Sequence, residues 1–343
     1  MIIAELSANH AQDERRAHQW IDAAAEAGAD AIKVQTYTPD TLTFCSNQPP
    51  FVIEDQALWS GRSLWDLYEE AHTPWQWQPE LKAHAEERGL QFIASVFDFS
   101  SIEFWQKHQL QIYKIASAEL IDLPLLKAVA ATHQPIILST GMASLDEIDE
   151  AVATLQRANS SIDLTLLKCS SAYPAPVESM NLAGIQTLRS RYDLTVGLSD
   201  HSMEHAIAVA AVGLGATVFE KHLKLPDGPP SPDDAFSLTP EEFREWTCLI
   251  RTALKALGSG ELKPSESERS TLPFRRSLFV VQDMQPGEAF TPQNLRSIRP
   301  ANGMHPRHYE TVLGKVAACA IRAGTPLSAE LIESASTHSE LTR

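Results

Sequence analysis

The chain lacks what would place it in a membrane, on nucleic acid or in an oxidising compartment. No apolar run is long enough to span a bilayer, and Met1 leads straight into a strand-like run, so no leader peptide is expected. Four cysteines occur (Cys45, Cys169, Cys248 and Cys319), far apart and with no Cys-x-x-Cys pair. That scarcity predicts reduced thiols in a cytoplasmic protein. Basic charge is also short: 28 Lys and Arg against 44 Asp and Glu leave a formal net charge of -16. Such a balance argues against nucleic acid or an anionic membrane surface as partner. An anionic substrate would need a local basic pocket, for which Lys33, Lys114, Lys168 and Lys221 are the candidates. No tandem repeat of solenoid length is present.

What the chain does have is a recurring unit: a short apolar run that ends in a residue suited to chemistry. Ile2-Ile3-Ala4 ends in Glu5, and Ala31-Ile32 runs into Lys33 and Gln35. Phe92-Ile93-Ala94 ends in Ser95, and Ile112-Tyr113 runs into Lys114, Ser117 and Glu119. Ile136 to Leu138 ends in Ser139, and Leu164 to Leu167 runs into Lys168, Ser170 and Ser171. Val196 to Leu198 ends in Ser199, Asp200 and His201. Thr217 to Phe219 ends in Glu220, Lys221 and His222. About eight such units in order predict an α/β fold, a (β/α)8 TIM barrel with its catalytic groups at the C-terminal ends of the strands. The 343 residues suffice for a barrel of roughly 250 residues and a small second domain.

The intervening segments carry helical signals. Asp13 caps a face of Ala17, Trp20, Ile21 and Ala24, and Ser144 with Glu147 forms a capping box. Thr239-Pro240-Glu241-Glu242 starts a helix whose buried face is expected to run through Phe243, Trp246, Ile250, Ala253 and Leu257 to Gly258. Thr38 to Arg62 carries Pro39, Pro49, Pro50 and Gly61 without a clear period and is expected to form a lid or rim over the pocket. The barrel is assigned to residues 1–258 and a polar linker to 259–273. A compact C-terminal unit follows over 274–335, with a strand from Ser277 to Val281 and turns at Gly287 and Gly324. Residues 336–343 are expected to be a disordered tail.

His201 and His222 fall at the ends of the last two strands, neighbours in a barrel. Either alone reads equally well as a hydrogen-bonded structural histidine; the pair favours a divalent metal site that polarises a carbonyl or a water. Glu220 and Asp233 are placed to support it. Ser95, Ser117, Ser139, Ser171 and Ser199, interleaved with Lys33 and Lys114, suit a phosphate and a carboxylate on one small molecule, although one or two of these serines are expected merely to cap helices. A strand-end lysine also suits a Schiff base, as in a metal-independent pyruvate lyase built on Lys114. Glu5 is either a proton-transfer group or an ion-pair partner of Lys33. Tyr173 either orients substrate or packs. A non-catalytic sugar sensor is disfavoured by so complete a set of reactive side chains.

The strings IIAELSANH, GADAIKVQTYTPDTLT, YKIASAEL, LSTGM, SAYPAP, VGLSDH and FEKH, in this order, closely resemble the sialic acid synthase family. Its members condense phosphoenolpyruvate with an amino-sugar aldehyde. The C-terminal strings FRRSLFVVQDM, IRPANG, LGKVA and IRAGTPL resemble its SAF (antifreeze-like) domain, so the resemblance runs from Met1 to about Glu333. The resemblance makes His201 and His222 ligands of Mn2+, Mg2+ or Co2+; in the condensation so implied, Glu5, His201 and His222 are expected to be the catalytic residues. It gives Lys33, Ser95, Lys114, Ser117, Ser139, Ser171 and Ser199 to phosphoenolpyruvate, and Gln35, Glu119, Tyr173 and Asp233 to the sugar. It also implies a domain-swapped homodimer in which Arg299 reaches the sugar in the partner's barrel. Within the family, AELSANH, QTYTPDTLT and GRSLWDLYEEAHTPWQW look most like the pseudaminate branch, which uses 2,4-diacetamido-2,4,6-trideoxy-L-altrose. The neuraminate and legionaminate branches are the alternative. The chain departs from the family pattern at Val96 and in the loop from Leu225 to Asp233.

Overall fold

A computed structural model describes residues 1–54 and 58–333. The chain divides into two compact units, residues 1–259 and 260–343. In the first, eight parallel strands close into a barrel in sequence order. They are β1 (Ile2–Glu5), β2 (Ala31–Thr36), β3 (Gln91–Val96), β4 (Ile112–Ile115), β5 (Ile136–Ser139), β6 (Leu164–Cys169), β7 (Thr195–Asp200) and β8 (Val218–His222). An outer helix follows each: α1 (Glu14–Glu26), α2 (Gln78–Glu87), α3 (Phe99–Lys107), α4 (Leu123–Ala130), α5 (Leu145–Ala158), α6 (Gly184–Tyr192), α7 (His205–Gly213) and α8 (Pro240–Leu257). The expected caps form. The Asp13 carboxylate accepts from the Arg15 and Arg16 amides, and the Ser144–Glu147 and Thr239–Glu242 capping boxes close. Along α8 the buried face stops earlier than its periodicity predicted. Phe243, Trp246 and Ile250 are buried, whereas Leu257 is 53% exposed, the helix having run past the barrel.

The strand period of two decides which side chains meet inside the barrel. Ile3, Ala31, Ile93, Ile137, Leu167 and Val218 form an apolar plug, with Ile112 against it. Two residues further along the same strands stand Glu5, Lys33, Ser95, Lys114, Ser139, Cys169 and Glu220, with Ser199 completing the ring on β7. The register brings them side by side: Glu5 pairs across to Lys33 and to His222, Ser95 to Lys114, and Ser199 to both Cys169 and Glu220. An apolar floor therefore carries a polar layer at the C-terminal mouth, where barrel enzymes keep their chemistry.

The same parity corrects the basic-pocket expectation for two lysines. Lys168 and Lys221 occupy the alternate positions and face the helices. The Lys168 ammonium donates to the Cys169 carbonyl and its stem lies against Gly184 on α6. Lys221, 1% exposed, pairs with Asp200 at 3.2 Å and donates to the Ser202 carbonyl.

In the second unit, β9 (Ser277–Val280) and β10 (Leu295–Ile298) form an antiparallel pair over a core of Leu278, Val280, Met284, Phe290, Leu295, Val312 and Ile321. Gly287 and Gly324 turn with φ of 79° and 86°, a region open chiefly to glycine. The polar stretch read as a linker is not structureless: Ser265 and Glu268 box a 3-10 helical run over Glu266–Phe274. The expected disordered tail, 336–343, lies outside the described residues. Among the described residues, no helix is long and apolar enough to cross a membrane.

Candidate active site

The mouth of the barrel holds a cavity of about 330 Å3, within the size range of small-molecule sites. Its floor is the polar layer. Lys33 forms an ion pair with Glu5, donates to Ser95 Oγ at 3.2 Å and stands 3.7 Å from Glu220. Lys114 donates to Ser139 Oγ at 2.6 Å and lies 4.0 Å from Glu220, which in turn accepts from Ser199 Oγ at 3.0 Å. Two buried cations thus face two buried carboxylates, and the carboxylates diverge. Burial pushes Glu5 up to about 7 against the pull of Lys33. Glu220 is held below its usual range because Lys114 and Lys33 outweigh its burial. Lys33 is held up, since Glu220 and Glu5 overcome desolvation; burial lowers Lys114. One carboxyl able to carry a proton near neutrality beside one that stays ionised is an acid–base arrangement.

Beside this floor the backbone forms a cradle. The Gly141 amide donates to Ser117 Oγ at 3.0 Å, and a Cβ on Gly141 would stand 2.3 Å from Ser171 Oγ and 2.8 Å from Ser117 Oγ. Only glycine permits this convergence of two hydroxyls and an amide, a donor set matched to an anion. Of the serines suspected as helix caps, none of Ser95, Ser117, Ser139, Ser171 or Ser199 makes a side-chain bond at a helix start.

Above the floor, His201 and His222 face one another with ring centroids 5.4 Å apart. His201 Nδ1 lies 2.9 Å from the Ser170 carbonyl oxygen, which commits that nitrogen and leaves Nε2 for a ligand. His222 Nδ1 is buried without a hydrogen-bond partner, 3.7 Å from Asp233 Oδ2. Burial and the neighbouring His201, Lys33 and Lys221 hold His222 far below its usual range, hence neutral. Two imidazoles and a carboxylate, with an orphaned ring nitrogen among them, fit a divalent cation. A tighter cluster, Glu14, His18 and Glu80, keeps its ligand atoms within 4.8 Å of one another. It sits between the outer helices α1 and α2, outside the cavity lining and partly exposed, so the cavity set is the better candidate.

Gln35 donates to Glu5 and Ser7, and Tyr173 stacks 4.4 Å from His201. Despite the unusual loop before it, Asp233 reaches the cavity and accepts from the Ala8 amide at 3.2 Å. Neither Glu119 nor Ser171 is among the residues that line the cavity, although Ser171 Oγ forms part of the Gly141 cradle. Arg299 is exposed after β10 in the second unit. Asn9 is structural, tying the β1 loop to Leu223 and Ser237, and buried His10 packs on Trp77.

Sequence reading missed Ser7, Cys169, Tyr37, Trp59, Tyr68 and Phe236, all of which line the cavity. Ser7 adopts φ 44°, a conformation costing roughly 1–2 kcal/mol outside glycine, and its hydroxyl serves Gln35. Cys169, read only as a reduced thiol, lies 3.9 Å from His201 Nδ1. Burial would raise that thiol, yet His201 and Lys114 bring it down to about 7. Its position two residues beyond Leu167 was the available signal.

Glu119 yields a stability prediction. Its Oε2 is buried and unpartnered, and burial pushes the carboxyl up to about 7. Between pH 4.5 and 7 the folded protein retains a proton there that the unfolded chain releases, so folding stability falls as pH rises through that window. Glu119→Gln removes this slope. At pH 8 the variant should exceed the parent by up to about 3 kcal/mol, with little difference at pH 4. Urea denaturation at the two pH values measures it, and parallel curves would refute the burial argument.

An eightfold parallel barrel with acid, base, cationic and imidazole groups gathered at its C-terminal mouth defines a barrel enzyme. The chain belongs to the NeuB family, whose sequence profile matches residues 20–262, and the SAF domain profile matches residues 275–333. A pseudaminic acid synthase of Helicobacter pylori is 40% identical over 97% of this chain and 97% of its own length. An N,N'-diacetyllegionaminic acid synthase of Campylobacter jejuni is 37% identical, covering 92% and 95%. Among solved structures, a putative spore coat polysaccharide biosynthesis protein E of Chromobacterium violaceum superposes with a TM-score of 0.78 at 28% identity, covering 97% and 99%. The family resemblance and the barrel-plus-SAF fold read from the sequence both hold.

Proposed function

We propose that this chain condenses phosphoenolpyruvate with 2,4-diacetamido-2,4,6-trideoxy-L-altrose, yielding the nine-carbon acid pseudaminate and inorganic phosphate. The observation that carries the reading is the cation–hydroxyl floor lying beneath the imidazole–carboxylate set in a single cavity. The branch assignment is supported by relatives named pseudaminic acid synthase at 40–42% identity, against 37% for the legionaminic acid synthase.

Lys33 and Lys114 offset the charge of the phosphate and carboxylate, while Ser95, Ser139 and Ser199 and the Ser117–Gly141–Ser171 cradle fix their oxygens. Gln35, Tyr173 and Asp233 orient the sugar above them. Holding both reactants in one geometry removes much of the entropic barrier. C3 of phosphoenolpyruvate bonds to the aldehyde carbon as the carbonyl π bond breaks, and the aldehyde oxygen takes up a proton to become a hydroxyl; water adds at C2, phosphate leaves with its bridging oxygen as the C2–O bond breaks, and the hydroxyl left on C2 gives up its proton to form the ketone. Glu5 takes the proton from that water, and Glu220 stays ionised to offset positive charge developing at C2. A divalent ion (Mn2+, Mg2+ or Co2+) held by His201 and His222 supplies Lewis-acid polarisation of the aldehyde.

The assembly proposed is a domain-swapped homodimer, with Arg299 of a second copy's C-terminal unit reaching the sugar. Support comes from apolar side chains exposed on successive loops around the mouth. Phe44 is 68% exposed, Phe99 55%, Ile121 64%, Met142 72%, Val177 48% and Met203 42%. Apolar exposure of this extent marks an interaction surface.

Phosphate release from phosphoenolpyruvate with Mn2+ tests the reading, comparing the altrose with N-acetylmannosamine, each with and without EDTA. Chelator-sensitive release with the altrose alone is expected. Release with N-acetylmannosamine alone would move the chain to the neuraminate branch, and release with neither would overturn the substrate assignment.

A further inference from the structure

The loop after β8 carries Asp233 into the cavity, yet little of it can hold itself in place. Its base is pinned where Lys224 donates to the Leu238 carbonyl at 2.8 Å and Leu238 to the His222 carbonyl at 3.0 Å. Between them runs Pro226-Asp227-Gly228-Pro229-Pro230-Ser231-Pro232. Prolines leave such a stretch rich in carbonyl acceptors and poor in amide donors. Among the described residues, Leu225 to Pro230 makes no backbone–backbone hydrogen bond. The complement of such a segment is a group with several N–H donors and no acceptor, which describes a guanidinium.

Arg16, in the first turn of α1, supplies it. Its Nε donates to the Asn9 carbonyl at 3.3 Å and its Nη2 to the Leu225 carbonyl at 3.2 Å, while Nη1 donates to the Asp227 carbonyl. Gly228 permits the approach: it has φ 141°, and a Cβ there would stand 2.4 Å from Arg16 Cζ. The helix itself gains nothing from the choice, since a cation in the first turn opposes the helix dipole. The guanidinium thus spans the loops after β1 and β8, and those loops meet again at Asp233. Asn9 Oδ1 accepts from Ser231 Oγ at 2.6 Å, and Ser231 Oγ accepts from the Asp233 amide at 3.2 Å. Beside Asn9, the Ala8 amide donates to Asp233 Oδ2, the oxygen that lies 3.7 Å from His222 Nδ1. Trp59 braces the far end of the loop. Its indole N–H donates to the Pro232 carbonyl at 3.1 Å, and its ring packs 5.7 Å from Tyr173 and 6.5 Å from Phe236. The segment expected from sequence to be a rim or lid is therefore tied to the same loop.

We propose that Arg16 is a positioning residue, locking the β1 and β8 loops together so that the Asp233 carboxylate stands at the imidazoles to receive the amino sugar. The inference rests on the condensation proposed above. Arg16 is not among the residues that line the cavity, so it touches neither reactant and acts through Asp233. Phosphoenolpyruvate is held by the floor, whose residues stand on strands that the barrel itself fixes. A loosened loop therefore weakens the hold on the sugar and spares the hold on phosphoenolpyruvate. That asymmetry separates a positioning role from a general loss of structure.

The test is phosphate release by the purified full chain with Mn2+, varying each substrate in turn. Arg16→Gln is too short to span three carbonyls. Its kcat/KM for the sugar should fall by about 10- to 100-fold, chiefly through KM, with the KM for phosphoenolpyruvate within about twofold of the parent. Arg16→Lys, which can still reach one carbonyl, should recover part of the loss. Gly228→Ala alters the other side of the contact and should reproduce the split between the two substrates. The double variant Arg16→Gln with Gly228→Ala should match the weaker single variant within about twofold, because both break one contact. Melting temperatures should stay within about 3 °C of the parent, since the loop carries little of the core. Arg16→Gln that leaves the sugar KM unchanged would overturn the role. So would both KM values rising together, activity lost in step with melting temperature, or fully additive effects in the double variant. The comparison uses whichever amino sugar the parent accepts, so an error in the branch assignment is read separately. A parent that releases phosphate with neither sugar overturns the proposed reaction and the role of Arg16 together.

Discussion

Replacing His201 or His222 with alanine is expected to reduce metal-activated turnover by at least about a hundredfold, the scale on which a single preorganised electrostatic contact acts. Stability should not fall in parallel. His222 contributes a buried ring nitrogen with no hydrogen-bond partner, and such a group costs folding free energy rather than supplying it. His222→Ala trades that cost against a cavity where the ring packs on Phe236 at 4.9 Å. Its melting temperature should therefore stay near that of the parent, the pattern of a residue retained for function at the expense of stability. His201 differs, because its Nδ1 is satisfied by the Ser170 carbonyl and its loss leaves that oxygen unpaired. Thermal shift on adding Mn2+ gives a readout independent of catalysis: the parent should gain stability by linkage, and both variants should lose most of that gain. Turnover within a few-fold of the parent in both alanine variants would sink the metal assignment.

The barrel was legible because each strand repeats one rule, an apolar run closed by a reactive polar residue. The faces of the strands were harder to read. A barrel strand is buried on both sides, so Lys221 on the helix side and Glu220 and His222 on the lumen side show the same run of neighbours. Nothing in the polarity of Glu220-Lys221-His222 marks the middle residue as the one turned away. The register supplies what polarity does not: counting by twos from the apolar plug residue Val218 gives Glu220 and His222. The same count from Leu167 gives Cys169 and excludes Lys168. Trp59 lay beyond such reasoning, since its role depends on contacts with Tyr173, Pro232 and Phe236, more than a hundred residues away. The lid expected over Thr38 to Arg62 was inferred from length and proline content, and those carry no information on which side chain would cross the mouth.

Lys221→Met is expected to destabilise the barrel by about 3–5 kcal/mol, the usual consequence of stranding one member of a buried ion pair. Lys221 and Asp200 are each 1% exposed and lie between strands and helices, where no solvent replaces a lost partner. The pair also organises the turn that carries His201. Asp200 Oδ1 accepts from the Ser202 amide at 2.9 Å and from its hydroxyl at 2.7 Å, while the Lys221 ammonium holds the Ser202 carbonyl. The residue between Asp200 and Ser202 is His201, and the residue after Lys221 is His222. One buried lysine thus fixes the positions of both imidazoles through the backbone that bears them. The double variant Lys221→Met with Asp200→Leu removes the stranded charge and should recover most of the lost stability. It should not recover turnover, because the Ser202 turn then has neither its carboxylate nor its ammonium anchor. Urea midpoints for the parent, the single variant and the double variant, taken with their phosphate-release rates, separate the two contributions. A single variant within about 1 kcal/mol of the parent would mean that the pair is spectator to the fold. A double variant that regained full turnover would mean that packing alone holds the histidines in place.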